Sequence, residues 1–359
     1  MTRVLIVTAS IGEGHDLPAR VLARALAAAG AEAEIADGLA AMGPVLAAAA
    51  GGGAQRMSYR LAPLLDLEYL VFARTPPVRA AGRALLSRLG AEGMLRLVAG
   101  HGPDVVVSTY PATTEVLGWL RERRRLAVPV VSAITDLAAL HYWSHPGVDL
   151  HLITHPESAH EVRSIAGPRA RIVAVRGLYE PAMLAPIDPA AARTALGLPA
   201  AGSVVCVSGG GWGVGDLDGG VAAALGAGAD RVVALCGRND AVRARLERRW
   251  SGEPRVRAEG FTERMSEHLA AADVLVHSSA GLTVLEGLAR GCRVISYGWN
   301  VAHVRLNNRA YERHGLAAVA RSRRELDAAL ARALAEPARP DPTFAALPEA
   351  ADVVLERER

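Results

Sequence analysis

VLIVTASIGEGHDLPARVLARALAAA, residues 4–29, opens with a β-branched run from Val4 to Thr8 and breaks at a glycine-bearing turn, Thr8 to His15. It continues as an alanine- and leucine-rich helical pattern from Pro18 to Ala29. The layout recurs past mid-chain, where a run from Ser203 to Val207 leads into the turn VSGGGWGVG (Val207 to Gly215) and a helical pattern from Asp218. A strand, a glycine turn and a helix start place unpaired backbone N–H groups and a positive dipole end at one spot, which suits a phosphate or a reacting anion. Two such units predict an α/β chain of two doubly wound, Rossmann-like domains facing across a cleft, with a ligand held between them.

Outward from these turns the alternation continues. In the first half, strands are predicted at Glu34–Asp37, Asp104–Ser108, Val130–Ile134 and Leu150–Thr154, with a helix at Ala112–Arg123 and a less regular helical stretch before Asp104. In the second half, strands at Arg231–Leu235, Val256–Ala258, Val274–His277 and Arg293–Ser296 alternate with helices around Val242–Trp250 and Leu282–Arg290. Strands alternating with helices imply parallel sheets. Spaced prolines and polar turns mark a linker over residues 181–199, giving an N-terminal domain over 1–180 and a C-terminal domain over 200–340. The last segment, 341–359, reads as a Pro-rich connection and a helix that packs back on the domain seam.

At 359 residues the chain is long enough for two domains, each with its own core, and 51% hydrophobic against 21% charged residues places it far from disorder. A net charge of +3 is too small for a nucleic-acid footprint. All 40 basic residues are arginine. Without lysine there is no Schiff base, no pyridoxal phosphate attachment and no Walker-type phosphate loop. Cys206, Cys236 and Cys292 sit in or beside apolar runs without metal-ligand spacing and read as core residues. The chain starts directly on a strand with no cleavable signal, and no apolar run reaches about 18 residues. The expectation is a cytoplasmic protein, with peripheral contact on an anionic membrane left open by the stretch between Met42 and Gly90, which includes MSYRLAPLLDLEYLVFARTPPVRAAGRALLSRLG. Amphipathic helices covering the first sheet account for that stretch equally well.

Three segments carry chemistry. SSAGLTVLEGLARG, Ser278 to Gly291, follows a strand with small residues, opens a helix at Thr283 and puts Glu286 one turn on, where a carboxylate can grip a sugar hydroxyl; a capped helix with a solvated glutamate is the plain alternative. The dense glycines Gly209, Gly210 and Gly211 form a nest for phosphate, with Arg238 as a source of positive charge. His15, on its turn and titrating near neutrality, is a candidate base, and Asp136 is either a second base or the carboxylate that orients His15. Asp216 and Asp218 form a DLD triplet at a helix start and read as capping, so no metal is expected.

These segments resemble the MurG-like glycosyltransferases of GT-B architecture, and most closely the monogalactosyldiacylglycerol synthase and processive diacylglycerol glucosyltransferase family. The resemblance rests on S-x-G-x-GH (Ser10, Gly12, Gly14, His15), STYP (Ser108 to Pro111), TD-x-x-x-x-H-x-W-x-HPGVD (Thr135 to Asp149), GF-x-x-x-M (Gly260 to Met265) and GLT-x-x-E (Gly281 to Glu286). It implies an inverting, metal-independent transfer of a hexosyl group from a UDP-sugar, a substrate and not a cofactor, to a hydroxyl acceptor such as diacylglycerol. By resemblance, Ser279, Ala280, Gly281, Leu282, Thr283 and Glu286 hold ribose and phosphates, Phe261 and Met265 hold uracil, and His15 is the base. Gly12, Gly14, Tyr110, Pro111, His141 and Trp143 fall on the acceptor side. The family's PGQEE-type sugar loop is replaced by SYGWNVAHVRLNN, Ser296 to Asn308. Tyr297, Gly298, Trp299, Asn300, His303, Asn307 and Asn308 can line a sugar pocket, but the identity of the sugar does not carry over.

Three other functions stay open on the sequence. A nicotinamide-dependent oxidoreductase would use Gly12, Gly14 and Asp37, although Leu17 occupies its third glycine position. A nucleotide-sugar epimerase of the same architecture would need no acceptor. A non-catalytic nucleotide-sugar or lipid-binding protein would keep the fold without turnover.

Overall fold

The computed structural model describes residues 1–10, 13–50, 75–138, 141–279, 281–298, 302–336 and 342–356. The chain divides into two compact units, one built from Met1–Glu180, Val301–His303 and Ala346–Arg359, the other from Pro181–Asn300 and Val304–Ala345.

The first unit runs β1 (Arg3–Thr8), α1 (Glu13–Ala28), β2 (Glu32–Asp37), α2 (Gly38–Ala41), α3 (Pro44–Ala50), α4 (Pro76–His101), β3 (Val105–Ser108), α5 (Pro111–Glu122), β4 (Val130–Ala133), β5 (Leu150–Ile153), α6 (Ala159–Ala166) and β6 (Ile172–Ala174). The strands form one parallel sheet in the order β2-β1-β3-β4-β5-β6. Its central strands are buried on both faces, as the apolar runs VLIV and VVV require. One face packs α1, through Ala19, Leu22 and Leu26; the other packs α2, α4 and α5, through Leu39, Met94, Val116 and Leu120. α1 begins at Glu13, ahead of the Pro18 start that the helical pattern suggests, so His15 lies within its first turn.

The second unit runs α7 (Pro189–Ala195), β7 (Val204–Ser208), α8 (Leu217–Gly226), β8 (Arg231–Leu235), α9 (Asp240–Arg249), β9 (Val256–Glu259), α10 (Met265–Ala271), β10 (Val274–His277), α11 (Leu282–Arg290), β11 (Arg293–Tyr297), α12 (Ala302–Arg313), β12 (Ala318–Ala320), α13 (Arg323–Ala335) and α14 (Pro342–Ala346). Its sheet is again parallel, in the order β12-β11-β10-β7-β8-β9. The stretch read as a linker contains α7, whose buried Arg193 donates to the carbonyls of Ala271, Ala200 and Gly202 and to Asp273.

The last helix, α15 (Ala350–Glu356), belongs to the first unit. Arg176 N–H donates to the Pro348 carbonyl at 3.0 Å, Ala350 N–H returns to Arg176 at 2.9 Å, and Ala351, Val353 and Val354 join the α1 side of the core.

Candidate functional site

In the first unit the strand order reverses at β1 and β3, and the loops leaving these strands flank the crevice where open parallel sheets bind ligands. His15 Nδ1 stands 3.1 Å from the carbonyl oxygen of Thr109, just past β3. A carbonyl only accepts, so Nδ1 donates and the neutral ring carries its lone pair on Nε2. Tyr110 meets the imidazole edge-on at 5.0 Å between centroids, and Trp143 tilts against it at 5.8 Å. Burial, then the charge of Asp37, push the Tyr110 phenol up to about 12, so it stays protonated.

Asp136 and His15 share Trp143 as a neighbour. Asp136 Oδ2 accepts the Trp143 indole N–H at 2.7 Å, while the Thr109 carbonyl holds the His15 nitrogen that an orienting carboxylate would take. Trp143 is fully buried, so it braces Asp136 and His15 from within and presents no face to an acceptor. Gly12 lies outside the described residues. At Gly14 a Cβ would meet nothing within 4 Å, which leaves open space beside His15.

The remaining motif residues of this unit build the floor. Ser108, Thr113 and Thr114 form a buried hydroxyl cluster around the Tyr110 carbonyl, with Thr113 donating to it at 2.8 Å and Thr114 donating to Ser108 Oγ at 2.8 Å. Pro111 begins α5, where a missing N–H is harmless. Asp149 receives Arg121 at 2.9 and 3.1 Å and the Val130 N–H at 2.9 Å. His145 Nδ1 accepts from Gly147, and burial pushes its pKa down to about 3. His141 is half-buried and held below its ordinary range by burial, then by Arg79 and Arg83. Asp37 caps α2 through Ala40 N–H at 2.9 Å and takes the Ser10 N–H at 3.4 Å. The acid that an oxidoreductase would turn to a ribose is therefore committed to backbone.

In the second unit the order reverses at β7 and β10, so the loops after these strands lie side by side at the carboxyl end of the sheet. In the short turn Gly209–Gly211 the Gly209 N–H donates to the Leu235 carbonyl and the Gly210 N–H to Ser208 Oγ, both at 3.2 Å, whereas α11 starts at Gly281 with no side-chain cap. The start of α11 leaves first-turn N–H groups for an anion. Leu282 opens α11 with its side chain buried, and Thr283 follows half-buried. Gly237 has φ +56°, and a Cβ there would stand 2.4 Å from the Gly210 carbonyl oxygen, so only glycine lets the two loops interlock. Arg238 N–H donates to Gly211 at 2.9 Å while its guanidinium lies 3.8 Å over the Phe261 ring, which is 48% exposed. Met265 opens α10, half-buried. Glu286 is 4% exposed, which removes the solvated-glutamate alternative.

Asp216 accepts the Gly219 N–H at 2.9 Å and the Tyr297 hydroxyl at 2.8 Å, and Asp218 accepts the Trp250 indole N–H at 2.8 Å. Both are held by protein donors, as the capping reading of the DLD triplet expects of Asp216. Gly298 has φ +88° and packs on the Asp216 backbone. Asn307 and Asn308 on α12 are buried, and Asn308 Oδ1 accepts from Ser296 at 2.7 Å, which ties Asn308 to the end of β11. His303 lies on α12. Trp299, Asn300 and Ala280 lie outside the described residues, as does residues 51–74 of the stretch considered for membrane contact. Cys206, Cys236 and Cys292 are buried thiols. Among the described residues no helix is long and apolar enough to cross a membrane.

One signal was overlooked in the sequence: His277, the last residue of β10, whose Nε2 lies 2.8 Å from Ser279 Oγ.

Comparison with known proteins agrees with this layout. Residues 25–178 match the family model described as monogalactosyldiacylglycerol (MGDG) synthase, and residues 222–336 match that of glycosyl transferases group 1. Monogalactosyldiacylglycerol synthase 1, chloroplastic, of Arabidopsis thaliana is 28% identical over 233 residues, covering 61% of this chain and 43% of the relative. Processive diacylglycerol beta-glucosyltransferase of Staphylococcus epidermidis is 24% identical over 208 residues, covering 56% and 51%. The chain thus spans about half the length of the curated relatives it matches. Among solved structures, MurG of Acinetobacter baumannii superposes with a TM-score of 0.59 over 99% of this chain and 100% of its own at 16% identity.

Proposed function

We propose that this chain, which resembles the monogalactosyldiacylglycerol synthases in sequence and MurG in its GT-B fold, is an inverting glycosyltransferase moving a hexosyl group from a UDP-sugar to a lipid hydroxyl such as that of diacylglycerol. The observation that carries the reading is His15, held in the first turn of a helix with Nδ1 donating to the Thr109 carbonyl and its lone pair on Nε2. Nε2 takes the acceptor's hydroxyl proton as that oxygen attacks the anomeric carbon. The bond to the diphosphate breaks on the opposite face, and UDP leaves with the electron pair. The uncapped start of α11, the glycine turn and Arg238 then stabilise the departing charge. Because Asp216 and Asp218 are engaged by protein donors, this role falls to dipoles and arginine, not to a metal held by the triplet.

The lipid side rests on the resemblance and on Val45, Leu85 and Leu89, which are 72%, 59% and 50% exposed on α3 and α4. Exposed leucines one turn apart, with Arg88 between them, suit an anionic membrane surface. Incubation with a panel of UDP-sugars and acceptors, in anionic vesicles or free in solution, followed by product masses, tests the whole reading. We expect UDP release only when an acceptor is supplied, and most with a lipid in vesicles. His15→Ala should abolish transfer while leaving UDP affinity within about threefold of the parent, since the base does not touch the nucleotide. Near-normal turnover in that variant removes His15 from the role, and sugar interconversion without acceptor identifies an epimerase.

A further inference from the structure

The expected donor cradle is packed around a histidine that the transferase reading leaves without a task. His277 ends β10 in register with Ser208 of β7 and Ser296 of β11, and all three side chains are buried. The two serines serve protein partners: Ser208 Oγ accepts the Gly210 N–H at 3.2 Å, and the Ser296 hydroxyl donates to Asn308 Oδ1. His277, 1% exposed, turns instead to the loop before α11, where its Nε2 meets Ser279 Oγ at 2.8 Å. Its Nδ1 is buried against the Ser208 backbone without a well-formed hydrogen bond, so the contact with Ser279 is the one well-formed bond to the ring. Gly210, at φ +65°, closes over the pair: a Cβ there would stand 3.1 Å from Ser279 Oγ and 3.8 Å from His277 Cε1. The imidazole and the hydroxyl are thus held under the glycine turn, where the loops after β7 and β10 meet.

Burial pushes His277 down to about 4, so at neutral pH the ring carries a single N–H. With that proton on Nε2, His277 donates to Ser279 Oγ, and the serine's own proton turns outward. With it on Nδ1, Nε2 consumes the serine proton and Ser279 offers only lone pairs. An anion on the outer side selects the first arrangement, because only then does a hydroxyl donor face it. We infer that His277 is a positioning residue that orients the Ser279 hydroxyl as a donor to a diphosphate seated between the glycine turn and the start of α11. The inference rests on the donor reading above for the identity of its ligand, not for its geometry. A charge at Ser279 is read by the neutral histidine behind it, which cannot compete for the phosphate because it is sealed from it.

Calorimetric titration of the full chain with UDP, TDP, inorganic pyrophosphate and uridine tests this. We expect His277→Leu and Ser279→Ala each to weaken UDP binding about tenfold or more, the loss of one hydrogen bond to a charged group. The double variant should be no weaker than either single, since the two residues act as one unit. His277→Gln, which keeps an N–H donor near the Nε2 position, should restore affinity to within about threefold of the parent. Uridine, lacking phosphate, should bind all variants alike. UDP affinity unchanged in a folded His277→Leu protein overturns the proposal, as does a parallel loss of uridine and UDP. A preference for TDP, or for pyrophosphate alone, removes the UDP-sugar reading while the same variants still decide the role of His277. No binding of any diphosphate by the parent overturns both.

Discussion

His15 and Asp136 are both visible in the sequence as chemistry-bearing residues, and the fold gives each a partner that the sequence does not show. A histidine in a first helical turn needs a partner to fix its tautomer, and the sequence offered a carboxylate for that; the fold supplies the Thr109 carbonyl. Such a partner is illegible in a sequence because every residue carries a carbonyl. Asp136 instead receives the indole of a buried tryptophan. Asp136→Asn keeps an oxygen that can accept that N–H, so we expect kcat to fall by less than about tenfold, whereas general-base loss costs about a hundredfold to ten-thousandfold. Steady-state kinetics of the two variants side by side decide the matter, and a collapse of Asp136→Asn to the level of His15→Ala would return Asp136 to the base role. His277 was passed over for a related reason. A histidine at the end of an apolar run reads as a satisfied core residue, and only the turn of the Ser279 loop shows what it faces.

At the scale of elements, legibility followed length and burial. The runs that became β1, β3, β7, β8 and β10 are apolar, bounded by turn residues and buried. The three-residue edge strands β6 and β12 carry no periodicity to find. α7 was hidden because prolines on either side of it read as punctuation, although Pro189 sits at its first position behind the Asp188 cap. What holds this short helix is Arg193, whose guanidinium satisfies three carbonyls and Asp273, which itself also accepts the Val204 N–H at 2.8 Å. A planar fork with five donors is needed for that geometry, and lysine's ammonium cannot reproduce it. Arg193→Ala and Arg193→Lys should therefore both destabilise the second unit, by about 2–4 kcal/mol for the alanine, because buried acceptors lose their donors. Urea unfolding followed by Trp fluorescence measures it, and a lysine variant equal to the parent would show that charge alone, not the fork, secures α7.

At the scale of the whole molecule, three buried histidines are held neutral, and this gives the fold a sign in its response to acid. Burial holds His145 at about 3, and His151 and His277 at about 4, with Arg83 adding to the effect at His145. An unfolded histidine titrates near about 6.5. Below that pH the unfolded chain takes up protons that these folded side chains refuse, so each contributes stability that is complete above about pH 6.5 and is lost as pH falls toward about 4. The loss amounts to on the order of 2 kcal/mol per histidine by pH 5, so the two in the first unit together take a large part of a typical domain's margin. Glu259, held below its ordinary range by the hydrogen bond from His268, works in the same direction at lower pH, whereas Glu115, raised by burial, opposes it. The chain should melt at markedly lower temperature at pH 5 than at pH 7. His151→Gln removes one titrating ring from the first unit, where it faces the His145 N–H and the Arg171 backbone. Its melting temperature should therefore shift less between those two pH values than the parent's, whatever its absolute stability. An equal shift in parent and variant, measured by calorimetry in matched ionic strength, would mean that His151 takes up its proton without unfolding.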